Sequence, residues 1–127
     1  MRASVAFTAV LVLSCSSTSL HNQVRTKELE EIRIEDNNWL DVTIYIVSYS
    51  GIARRLGMVR SSTRSILKIP SDIGTGSTVY IVVDPIGSDD TFQTEGFYVS
   101  TRKAVIIIVG EKISHSTWYM DNVNDED

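Results

Sequence analysis

The chain reads as an all-β protein, a small antiparallel sandwich of about seven strands behind an N-terminal signal segment. Three observations predict it. Apolar residues fall on every second position through most of the chain after Leu29. Gly, Pro, Asn and Asp interrupt that pattern at a spacing of roughly 10–15 residues, as turns between short strands do. No segment holds the 3.6-residue period of an amphipathic helix.

The elements follow in order. Ile32 and Ile34 alternate with charges and form a first strand, which Asp36-Asn37-Asn38 ends. Val42, Ile44 and Ile46 alternate with Thr43, Tyr45 and Val47, a strand with one buried face, and Tyr49-Ser50-Gly51 turns the chain. Leu56 and Met58 among arginines make a third strand, in which Gly57 signals a bulge or a close backbone approach. Ser65, Leu67 and Ile69 lead to Pro70, which stops the run, and Pro70-Ser71-Asp72-Ile73 fits a single turn. Gly74-Thr75-Gly76 is loop.

Thr78 to Val83 is strongly β-forming, and Asp84-Pro85-Ile86-Gly87-Ser88-Asp89-Asp90 is a turn-rich connection. Phe97 to Ser100 gives a short strand. Ala104 to Val109 is a continuous apolar run, which predicts a strand covered on both faces, with Lys103, Glu111 and Lys112 as flanking charges. Ile113 to Met120 adds an eighth strand or lies along an edge. Asp121 to Asp127 is an acidic tail.

Composition narrows the function classes. The 127 residues carry a formal charge of -4 and one cysteine, Cys15, so no internal disulfide forms within the chain. No basic stretch is interleaved with aromatics, which leaves nucleic-acid binding without support. Arg54 and Arg55, with Arg60, Arg64 and Lys68, alternate with apolar neighbours as on the solvated face of strands.

Ahead of the domain, Met1-Arg2 is followed by an uncharged, mostly apolar run from Ala3 to Leu13 and then Ser14-Cys15. The run is shorter than the roughly 20 residues a helix needs to cross a bilayer, and matches the apolar section of an export signal. Val12-Leu13-Ser14-Cys15 resembles the lipobox of bacterial lipoproteins, which has an aliphatic residue three before the cysteine and a small one just before it. Leu13 is bulkier than the pattern usually carries. The resemblance covers about the first 16 residues. It implies cleavage between Ser14 and Cys15, a diacylglycerol on the Cys15 sulfur and a further acyl chain, such as palmitate, on the new amine. Two or three chains hold firmly, at about 0.8 kcal/mol per buried methylene, whereas one anchors reversibly. Ser16 in place of Asp after the cysteine implies the outer membrane, facing the periplasm, in a host with two membranes.

The expected organisation is therefore a signal peptide over 1–14, Cys15 and a polar tether over 15–28, the sandwich over 29–120 and the tail over 121–127. The domain further resembles a group of small uncharacterised bacterial envelope proteins with an immunoglobulin-like or transthyretin-like sandwich. The stretches that carry the resemblance are Asn37-Asn38-Trp39-Leu40-Asp41-Val42, Arg55-Leu56-Gly57-Met58-Val59 and Val83-Asp84-Pro85-Ile86-Gly87-Ser88, within residues 35–110. The resemblance implies the fold and no activity.

Catalysis finds few residues to use. His115 is the only histidine of the domain, and its neighbours Ser114 and Ser116 point away from it on a strand, so no nucleophile–base pair follows from adjacency. Two clusters, Glu35-Asp36-Asn37-Asn38 with Asp41 and Asp84 with Asp89, Asp90 and Glu95, lack the spacing of a calcium loop and sit where turns place Asn and Asp anyway. No catalytic residue, metal or cofactor is assigned. The aromatics are the better lead. Trp39 is expected to cap the core. Trp118 and Tyr119 are the candidate partner-binding residues, and as strand neighbours they face opposite ways.

These readings converge on a non-catalytic envelope protein, bound to the membrane by its lipid and holding an envelope protein partner on a face or strand edge. A second reading is a ligand- or carbohydrate-binding module that uses loop aromatics and acidic turns.

Overall fold

The structure is a computed structural model that describes residues 31–100 and 102–123; the expected signal over 1–14 and the expected tether with Cys15 over 15–28 lie outside them. Nine strands form two stacked sheets. They are β1 (Glu31–Asp36), β2 (Val42–Ser48), β3 (Ala53–Val59), β4 (Arg64–Lys68), β5 (Thr78–Pro85), β6 (Phe92–Gln93), β7 (Phe97–Tyr98), β8 (Lys103–Val109) and β9 (Thr117–Asn122). Among the described residues a 3₁₀ turn, Ile113–His115, precedes β9. Among the described residues no helix is long and apolar enough to cross a membrane.

The first sheet has the order β4-β1-β8-β9, and the second β3-β2-β5-β6, with β7 also on β5. Alternation sends Ile32, Ile34, Val105, Ile107 and Val109 inward from the first sheet, against Val42, Ile44, Ile46, Val79, Ile81 and Val83 from the second. This aliphatic core holds the sheets together, each fully buried side chain contributing on the order of 2 kcal/mol.

The sandwich is as expected, with departures in detail. β1 and β8 pair in parallel, Ile32 opposite Val105 and Ile34 opposite Ile107, so the first sheet is mixed rather than wholly antiparallel. Alternation reports which face a residue takes but not the direction of its neighbour strand. Seven strands have five or more residues; the other two, β6 and β7, are two-residue pieces of one interrupted edge. In that interruption Thr94 replaces the ladder. Its N–H donates to Ile81 O (2.9 Å), and its Oγ1 accepts from Ile81 N–H (2.9 Å). β9 runs to Asn122, two residues into the stretch read as tail.

Gly57 sits at a bulge, as its place in the strand predicted. Ile44 faces Gly57 and Tyr45 faces Arg55, so Leu56 is the extra residue. A Cβ at Gly57 would come to 3.2 Å from Leu67 Cδ2, where the β3–β4 connection carries the chain from one sheet to the other. The outward residues of β8, Ile106 and Ile108, are only half-buried, so the face of β8 away from the core is less covered than its apolar run suggested.

Candidate functional site

Four connections, β1–β2, β3–β4, β5–β6 and β8–β9, converge at one end of the sandwich. β1 and β8 both finish there, because they are parallel, and β5 and β3 finish beside them. The β1–β2 loop, residues 37–41, lies at the centre. Its organiser is the buried Asn38, whose Nδ2 donates to Gly110 O (3.1 Å) and Glu111 O (2.9 Å), while Oδ1 accepts from Leu40 N–H (2.9 Å). Ser61 Oγ donates to Asn38 O (2.7 Å), Ser61 N–H to Asp41 Oδ1 (2.8 Å), and Ile86 N–H to Asp41 O (2.8 Å). One asparagine and one aspartate thus fasten the exits of β3, β5 and β8 to a single loop.

Beneath that loop lies Asp36, with 0% of its surface exposed. Its Oδ1 accepts from Asn38 N–H (2.9 Å), and Oδ2 has no protein partner. Burial raises its pKa to about 6; the Asn38 N–H opposes the rise and the charge of Asp41 adds to it.

Above the network the loops leave an open cleft of about 310 Å³. Trp39 stands at it 78% exposed, which corrects the expectation that it caps the core. The hydrogen bonds of Asn38 place its own side chain under the loop and leave Trp39 outside.

The partner candidates separate. Trp118 faces Ile107 on the inner side of β9 and packs against the core, its ring 5.6 Å from that of Phe97 in the opposite sheet. Tyr119 faces out, 51% exposed, in a row across the first sheet with Ile106, Arg33 and Ile66. The charges Glu31, Glu35, Arg64 and Lys68 share that outer face.

The outer face of the second sheet differs. Pairing sets Arg55, Tyr45, Val82 and Gln93 in one row, Ala53, Val47 and Tyr80 in the next, and Met58, Thr43 and Asp84 in a third, with Tyr98 beside Thr78. Only Arg55 and Asp84 carry charge among them, and Tyr98 is 70% exposed. Antiparallel sheets that meet water on one side normally turn a polar face to it.

His115 is exposed in the 3₁₀ turn, the one histidine among the described residues. Among the described residues no three His, Cys, Asp or Glu side chains gather as metal ligands. Arg54 forms an exposed ion pair with Asp72, and the other cations of its group, Arg55, Arg60, Arg64 and Lys68, are exposed.

Sequence reasoning weighed Asn38 only as part of an acidic cluster and a turn, and did not single out the tyrosines of β2 and β5. The available signal was a pair of strands in which Tyr45 and Val47, and Tyr80 and Val82, occupy the positions that a half-solvated sheet gives to polar residues.

No known protein family matches the chain, and neither does any curated protein. Among solved structures, the chain is similar to one described as the NMR structure of a protein from Eubacterium rectale. The TM-score is 0.48 at 16% identity, over 81% of this chain and 97% of that one.

Proposed function

We propose that the protein is a lipid-anchored, non-catalytic module of the bacterial cell envelope that holds a protein partner on the outer face of its second sheet. The lipobox-like Val12-Leu13-Ser14-Cys15 supports the address, with Cys15 as the lipid-bearing residue and the outer membrane as its place in a two-membrane host. The observation that carries the binding role is the face formed by the half-buried Tyr45, Tyr80 and Val82 with the exposed Met58 and Tyr98, where Arg55 and Asp84 are the charges in the same rows. An apolar face of that kind, rich in tyrosine, is the composition of protein contact surfaces. Tyr119 with Ile106 and Ile66 offers a smaller apolar row on the other sheet, diluted by charges.

The test is cross-linking in cells that make the full chain, with Tyr98 replaced by p-benzoylphenylalanine. A discrete cross-linked species is expected, and Met58→Asp on the same face is expected to remove it without lowering the melting temperature. No species, or one that survives Met58→Asp, rules out this face.

A further inference from the structure

We propose that the loop-end cleft binds a neutral saccharide, with Trp39 as the platform on which a sugar ring stacks. The site is separate from the tyrosine face and does not depend on the reading given for it. A pyranose presents a flat face of C–H groups and an edge of hydroxyls, each both donor and acceptor. The cleft offers the matching pair: an exposed indole beside Leu40 and the buried Ile113, and a polar rim of Ser88, Asp90, Glu111, Lys112 and Ser114. The negative face of the indole ring attracts the electropositive C–H side of a sugar, as it does other positive edges.

Charge selects against other small ligands. Asp90 and Glu111 outnumber Lys112 at the rim, which disfavours a phosphate or carboxylate. Carboxylates and hydroxyls together still accept and donate to neutral hydroxyls. The volume of about 310 Å³ lies at the low end of small-molecule sites, sized for one or two rings rather than a long chain.

The site is built before a ligand arrives. Asn38 fixes the Trp39 loop to the β8 exit, and Ser116 Oγ accepts from Gly110 N–H (3.1 Å) to fix the Glu111–Ser114 side. A Cβ on Gly110 would stand 2.9 Å from Lys112 O and 3.0 Å from the His115 carbonyl carbon, so the two sides of this turn are in contact. Little ordering entropy is then lost on binding. The position also suits capture: β1 begins at Glu31, at the end of the sandwich remote from the cleft.

The experiment is a titration of the purified protein with cellobiose, maltose, lactose, mannobiose and chitobiose, followed by the two indole N–H resonances. Trp39→Phe assigns them. At least one disaccharide is expected to shift the Trp39 signal saturably, with a dissociation constant of about 1 mM, and to leave Trp118 unmoved. Residues 88–90 and 111–114 shift with it. Trp39→Ala is expected to abolish the response with an unchanged melting temperature, since the side chain is exposed. The proposal is overturned if no disaccharide moves Trp39 at about 20 mM, well above that constant. It is also overturned if the response survives Trp39→Ala, or if inorganic phosphate or calcium chloride moves these residues and the sugars do not.

Discussion

Asp36 is a carboxylate where the core ends, and its environment favours the protonated form. Its pKa rises from 3.8 to about 6, so between those values the folded chain holds a proton that the unfolded chain releases. The stabilising contribution of this group is therefore complete below about pH 4 and is lost as pH rises through 6. Asp36→Asn keeps an acceptor for Asn38 N–H and removes the charge. Its melting temperature relative to the native chain is expected to climb by several degrees between pH 4.5 and pH 7.5. A difference that stays constant across that range contradicts the account. The two tryptophans show what the sequence could reveal at this scale. Alternation gave Trp118 and Tyr119 opposite faces, and they have them. Trp39 lies in a loop, where no period applies, and its exposure follows from hydrogen bonds of Asn38 to residues more than seventy positions away. Trp118→Ala is expected to cost about 2 kcal/mol, roughly 10 °C, because it opens the packing on Phe97. A melting temperature unchanged by this substitution would remove Trp118 from the core.

At the scale of elements, the edge of the second sheet depends on one hydroxyl. Thr94→Val keeps the shape of the side chain and leaves the Ile81 N–H without its partner, so a loss of about 1–3 kcal/mol is expected in urea unfolding. Thr94→Ser restores the acceptor and is expected to recover most of it. Equal losses in both would mean that the γ-methyl and not the hydrogen bond matters. Gly110→Ala drives a Cβ into the backbone of Lys112 and His115 and is expected to destabilise by a similar amount. The strands themselves were legible because each carries its own alternation, and Gly57 announced its bulge. The parallel pairing of β1 with β8 was not legible. It joins segments some seventy residues apart, and their apolar patterns suit either direction.

For the whole molecule, the two ends of the sandwich divide the work proposed for it. β1 begins at one end and the cleft opens at the other, with the tyrosine face between them. The candidate sites were only partly legible, since a face or a cleft is assembled from rows that cross several strands. Tyr45, Val82 and Gln93 become neighbours only once the register is fixed. Under the proposed lipid anchor, Cys15→Ser is expected to abolish membrane retention and leave an uncleaved or mis-sorted precursor, because the anchoring energy would come from the acyl chains. The most direct test of the central claim is the intact mass of the mature protein from the membrane fraction, with its N-terminal peptide. A chain beginning at Cys15 and carrying diacylglycerol on its sulfur is the predicted result. A chain beginning elsewhere, or one with a free thiol at Cys15, contradicts it.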